Sequence, residues 1–201
     1  MNESQYEELL NIKTAGAQKG FHDSFHYHHY EPTSYEDLEI LFKHYEIKKS
    51  DSVVDYGCGK GRLNFYIRHF FQATVIGIEM NQEFYQDAVE NKKNYMKKHK
   101  DNGNHIHFHC CLAEEYQINP SDNRFYFFNP FSIQIFMRII NNISISIEKS
   151  LREVELVLYY PSEDYIYFLD NLTIFELKLE VTLSDFIHNP QERFLIYKLG
   201  I

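Results

Sequence analysis

The strongest constraint on the fold of this chain is a change of hydrophobic period that repeats along it. Short β-branched or aromatic runs carry the signature of buried strands: SVVDYG (52–57), TVIGIE (74–79), HIHFHC (105–110), RFYFFN (124–129) and VELVLYY (154–160). Between them lie RLNFYIRHFF, NQEFYQDAVENKKNYMKKHK, SIQIFMRIINNISISIEKS and SEDYIYFLDN, whose apolar residues recur at helical spacing. A strand followed by a helix and another strand makes a crossover, so the alternation predicts a doubly wound, mainly parallel α/β sheet with helices on both faces. The last forty or so residues change register. There TIFELKLEVTL and RFLIYKL are strand-like and are joined by SDFIHNPQE, which has no helical pattern, so an antiparallel hairpin is expected.

No repeat, low-complexity stretch or Pro/Gly-rich linker divides the 201 residues, which are expected to form a single domain with residues 1–50 as a helical N-terminal cap. No window approaches the ~18–20 uninterrupted apolar residues of a membrane span. The start, MNESQYEELLNIK, places Glu7 and Glu8 where a secretion signal needs basic and then apolar residues. Three cysteines, Cys58, Cys110 and Cys111, are an odd number for a disulfide framework, so reduced thiols and a cytoplasmic address are expected. The net charge of −9 does not favour nucleic acid as a partner. The one dense basic run, KKNYMKKHK (92–100), falls at the expected exposed end of a helix, where cations suit the helix dipole. Seventeen phenylalanines and sixteen tyrosines sit mostly at core periodicity, without the interleaved Arg and Lys of a base-stacking platform.

The segment VVDYGCGKGR (53–62) sets Gly57, Gly59 and Gly61 at alternate positions between a strand and a helix. Such a loop lets a ligand approach the backbone, and the helix it opens offers free N–H groups to an anion. A nicotinamide or flavin fingerprint would require glycine at position 62, where Arg62 stands instead. Asp55 precedes the first glycine by two residues, and Glu79 ends the next strand at the neighbouring carboxyl edge, a place suited to a carboxylate that accepts both hydroxyls of a ribose. Together they predict a nucleoside-type cofactor site.

DYGCGKG resembles the first motif of class I S-adenosylmethionine-dependent methyltransferases, D/E-x-G-x-G-x-G, and the resemblance extends over nearly the whole chain. It implies S-adenosyl-L-methionine as cofactor and a seven-stranded sheet of order 3-2-1-4-5-7-6 with strand 7 antiparallel. It also implies that backbone around Gly57, Cys58 and Gly59 packs beside the methionine part, with Gly61 completing the loop and Asp55 near the ammonium group. Glu79 would take the ribose, followed by Met80, and Ala113 and Glu114 of CLAEEY would lie at the adenine. The stretch YEPTSYEDLEILFKHY (30–45) is similar to one found in a subgroup whose YEPT turn folds over the cofactor, which makes Tyr30, Pro32 and Thr33 candidates for its lid. Thr33 or Ser34 also reads as a helix N-cap.

FFNPF (127–131) places Asn129, Pro130 and Phe131 where such enzymes present the groups nearest the methyl donor. Asn129 and Pro130 resemble the start of the N-P-P-Y/F motif of amino-methyltransferases, although Phe131 and Ser132 replace its last two residues, and Asn-Pro also reads as a plain strand end. The function these readings predict is methyl transfer to a nitrogen or oxygen of a small-molecule or protein acceptor. The alternative is a noncatalytic module that senses the cofactor. No metal is expected: HDSFHYHHY supplies His22, His26, His28 and His29, but without a partner carboxylate or cysteine at zinc-site spacing. His105, His107 and His109 alternate on one face of a strand and are expected to pack against core or a neighbouring helix, while Cys58 is expected to serve packing.

Overall fold

The computed structural model describes residues 1–15 and 31–199. Among the described residues, the helices α1 (Glu3–Leu10) and α2 (Tyr35–His44) precede the first strand. Then follow β1 (Ser52–Tyr56), α3 (Arg62–Phe71), β2 (Thr74–Glu79), α4 (Gln82–His99), β3 (Ile106–Cys110), β4 (Arg124–Phe128), α5 (Ile133–Lys149), β5 (Glu155–Tyr159), α6 (Glu163–Leu172), β6 (Phe175–Thr182) and β7 (Arg193–Leu199). The helix starts follow local chemistry. Asn2 and Gln5 make a reciprocal capping box on α1, Ser34 caps α2 through the Asp37 N–H, and Asn81 caps α4. By contrast α3 has Gly61 as its N-cap and no side-chain cap.

The seven strands run β3-β2-β1-β4-β5-β7-β6. Those from β3 to β5 are parallel, and β7 pairs antiparallel with both β5 and β6, so the expected topology and C-terminal hairpin are both observed. Alternation along the strands divides the core in two. Val53, Val75, Tyr126 and Val157 face α1, α2 and α3, while Val54, Tyr56, Ile76, Phe125 and Phe127 face α5 and α6. Asp55 shares the face of Val53, and in the register it stands between Gly77 of β2 and Tyr126 of β4.

One expectation is corrected here. His105, His107 and His109 do share a face, but all three are exposed, because β3 is the edge strand of the sheet. His105 Nδ1 lies 3.0 Å from Thr74 Oγ1, and the His109 ring stands 5.5 Å from Tyr116. The basic end of α4 is only partly solvated: His99 Nε2 lies 2.9 Å from the Leu9 carbonyl, and Lys98 donates to the Glu8 carbonyl at 2.7 Å, where its charge complements the C-terminus of α1. No helix among the described residues is long and apolar enough to cross a membrane.

Candidate cofactor and transfer site

The carboxyl edge of the sheet brings Asp55, Glu79 and Pro130 to the glycine loop between β1 and α3. Gly57, Gly59 and Gly61 all have positive φ, at 80°, 52° and 85°. Glycine at 57 is also a matter of space, since a Cβ there would stand 3.1 Å from Pro130 Cβ. The loop hangs on the end of β2: the Ile78 carbonyl accepts the Gly57 and Cys58 N–H groups at 2.9 and 3.0 Å. The Glu79 carboxylate accepts the Gly59 N–H at 2.9 Å through one oxygen and the Asn81 N–H at 2.7 Å through the other. Each oxygen keeps a second lone pair. Burial raises the Glu79 pKa, opposed by the backbone N–H groups of Asn81, Gly59 and Met80. Met80 itself is exposed beside it.

Gly77 was not singled out in the sequence, yet a Cβ there would stand 2.6 Å from both Cys58 Sγ and Phe108 Cδ1. It makes the hollow in β2 that receives the Cys58 side chain, whose thiol burial pushes well above its ordinary pKa. An inert, packed Cys58 follows from that.

Asp55 is 5% exposed and accepts no hydrogen bond and forms no ion pair among the described residues. Burial, with the Glu79 carboxylate adding to it, pushes its pKa from 3.8 to about 8. Asn64, in the first turn of α3, is 1% exposed, and both its amide atoms lack a hydrogen-bond partner among the described residues. Buried polar groups left this way are rare in folded proteins, and where they occur at a glycine loop they fit a site completed by a polar ligand carrying a cation.

On the next strand, Asn129 follows β4 with φ +36°, and Pro130 packs at Gly57 as described. Phe131 turns away: its ring is buried in the α5–α6 core and its carbonyl accepts the Tyr165 hydroxyl at 2.6 Å. Ala113 is buried in a short 3-10 turn, Ala113–Glu115, beyond β3. The Glu114 carbonyl there accepts the Asn142 amide at 2.9 Å, while one oxygen of its carboxylate is buried without a hydrogen bond among the described residues. Ser34 takes the cap of α2, which leaves Thr33 free for a different partner, and its hydroxyl lies 2.7 Å from the Tyr126 hydroxyl. Tyr30 and the histidines at 22, 26, 28 and 29 lie outside the described residues.

Sequence reasoning missed two groups. One is the wall beyond Asn129. Tyr160 follows β5 with φ +53°, one register step from Asn129, and its hydroxyl donates to Glu192 and accepts the Asn189 amide at 3.1 Å. Tyr159 donates to Asp37 at 2.9 Å, and Phe128 stands 4.3 Å from the Tyr159 ring. The other is Arg62, whose value in the sequence lay only in not being glycine. It is 5% exposed and its guanidinium donates to Thr14 Oγ1 at 2.7 Å and to the Thr33 carbonyl at 3.3 Å. It also pairs with Glu3 at 2.7 Å and Glu7 at 3.6 Å, and lies 4.5 Å over the Tyr35 ring. A basic residue held at the first turn of the helix was the available signal.

A sheet of this order, with a glycine loop after β1 and an acid ending β2, defines a nucleotide-type α/β enzyme fold of the class I methyltransferase kind. Residues 47–159 match the family model described as a methyltransferase domain, and the chain belongs to that family, whose cofactor is S-adenosylmethionine. Among solved structures it is similar to an RNA methyltransferase from Salinibacter ruber in complex with S-adenosyl-L-homocysteine, at 15% identity over 85% of this chain and 94% of that one, TM-score 0.58. It is also similar to YjhP from E. coli, at 12% identity over 85% and 94%, TM-score 0.61, and to TrmK of M. capricolum bound to S-adenosyl-homocysteine, at 12% identity over 85% and 69%, TM-score 0.55. These likenesses establish the fold. No curated protein matches the chain by sequence.

Proposed function

We propose that this methyltransferase acts on a nitrogen or oxygen of a small-molecule or protein acceptor, with residues 1–50 as its cap and the cytoplasm, suited to its free thiols, as its place of work. The observation that carries the site assignment is Asp55, a buried carboxylate without a partner among the described residues, two positions before three left-handed glycines. In this reading Asp55 takes the ammonium of the methionine part. The backbone of Gly57, Cys58, Gly59 and Gly61 lies along that part, and Glu79 offers its remaining lone pairs to the ribose hydroxyls. Met80, Ala113 and Glu114 border the adenine, and Thr33 and Tyr30 close the site from the N-terminal side.

When bound, the cofactor supplies an electrophilic methyl on a sulfonium. The protein's part is then placement, which is worth up to ~7–11 kcal/mol when the reacting atoms are held at near-attack distance. Asn129 would align the acceptor with its side-chain amide, beside Pro130, while Phe131 fixes their position from the core. A reading as a pure sensor leaves the left-handed Asn129, set beside the Pro130 that packs at Gly57, without a task. The aromatic and carboxylate wall of Tyr159, Tyr160, Asp37 and Glu192 is ill suited to a phosphate backbone, and this favours a small molecule or protein over nucleic acid.

Calorimetric titration with S-adenosylmethionine, S-adenosylhomocysteine and NAD tests the cofactor half. Micromolar binding of the first two without NAD is expected, and binding of NAD alone would overturn it. Transfer of a labelled methyl group to amine and hydroxyl acceptors, with RNA in parallel, tests the other half. Labelling of RNA alone would sink the acceptor assignment.

A further inference from the structure

We propose that Arg62 is a positioning residue for the amino-acid end of the cofactor, which rests on the site assignment above. Arg62 is the first residue of α3, directly after Gly61, so its backbone belongs to the turn on which the methionine part would lie. Its side chain leaves that turn and is held by α1 through Glu3 and Glu7, by Thr14, and by the Thr33 carbonyl. The anchors are themselves fixed. Glu3 also accepts the Tyr35 N–H at 3.0 Å, Glu7 accepts the Thr14 N–H at 2.8 Å, and the Thr33 hydroxyl meets Tyr126. Tyr126 neighbours Asp55 in the register and feels its charge.

The contacts run in one direction, from α1 through Arg62 and Thr33 to Tyr126, and end beside Asp55. Nothing in this chain of contacts touches Glu79, Met80 or the 3-10 turn at Ala113, where ribose and adenine would sit. A cation at the first turn of a helix opposes the helix dipole and is not there for helix stability. Two carboxylates and three oxygen or aromatic partners hold it in place, and an arginine fork can meet them together where lysine cannot. Losing Arg62 should therefore slacken one end of the cofactor site and leave the other as it was.

The test compares two ligands: S-adenosylhomocysteine, which has the amino-acid part, and methylthioadenosine, which lacks it. In Arg62→Met, affinity for the first should fall about tenfold, because the turn that carries the amino-acid end loses its fixed position. Affinity for the second should stay within about twofold. Arg62→Lys should fall between. Leu169→Ala, buried in the opposite core on α6, serves as a control of reduced thermal stability and should change neither affinity. Should Arg62→Met fail to fold, Tyr126→Phe removes the Thr33 contact with the ring kept, and the same selective loss is expected, smaller in size. Equal losses for both ligands would make Arg62 merely structural, and no loss for either would remove it from the site. If the wild type binds neither ligand, it is the site assignment that fails, and the two failures are distinguishable.

Discussion

The two halves of the sheet's carboxyl edge are built by different means. On the β1–β2 side the surface is backbone: three glycines with positive φ, N–H groups gathered by Ile78 and Glu79, and side chains removed at Gly57 and Gly77 to let neighbours close in. On the β4–β5 side the surface is side chain. Asn129 and Tyr160 adopt positive φ without being glycine, and phenols are tied to carboxylates brought from α2 and from the loop before β7. Left-handed backbone at a non-glycine residue costs about 1–2 kcal/mol and persists only where surrounding contacts over-determine it. On the site assignment proposed above, the cofactor would meet a backbone that tolerates little change, and the acceptor would meet replaceable side chains.

The largest effect should come from breaking the backbone half. Gly57→Val combines a forbidden φ with a clash at Pro130 and should abolish S-adenosylhomocysteine binding, an affinity loss of at least about a hundredfold by calorimetry, with the circular dichroism of the fold retained. Glu79→Ala should do the same by releasing Gly59 as well as the ribose. Micromolar binding by either variant would contradict the cofactor assignment.

Asn129→Ala probes the other half and should split binding from turnover. Cofactor affinity should remain within about threefold, while methyl transfer falls by about 10²-fold, as when an aligning group is lost from a reacting centre. Wild-type turnover would take Asn129 out of the mechanism and leave the strand end as its only role.

How far these halves were legible in the sequence follows from the same difference. The glycine loop and Glu79 could be found because alternate glycines, an acid two residues before them and an acid at the next strand's end are local spacings. The strand and helix patterns were local too, and β7 appears over the seven residues that RFLIYKL marks. Arg62 gave only the signal of a cation at a helix start, and its role stayed hidden because its hydrogen-bond partners Thr14 and Thr33 lie 48 and 29 residues away. Asp37 meets Tyr159 across 122 residues. The histidines of β3 misled for a related reason: alternation says which residues share a face, but only the finished sheet order says that the face is at an edge.

The smallest effect is a proton. Asp55 titrates at about 8 in the folded chain and at an ordinary 3.8 when exposed, so between these values the folded state holds more protons than the unfolded one. Stability of the cofactor-free protein therefore falls as pH rises through that window and levels off above it. An ammonium group placed against Asp55 reverses the preference and favours the ionised carboxylate. Binding of S-adenosylhomocysteine at neutral pH should then release about one proton, read from calorimetric enthalpies in buffers of different ionisation heat. Methylthioadenosine should release none, and Asp55→Asn should remove both the release and the slope of stability with pH. Release of a proton by methylthioadenosine as well would move the titrating group from the amino-acid end to Glu79, since burial raises that carboxyl too and the nucleoside part reaches it.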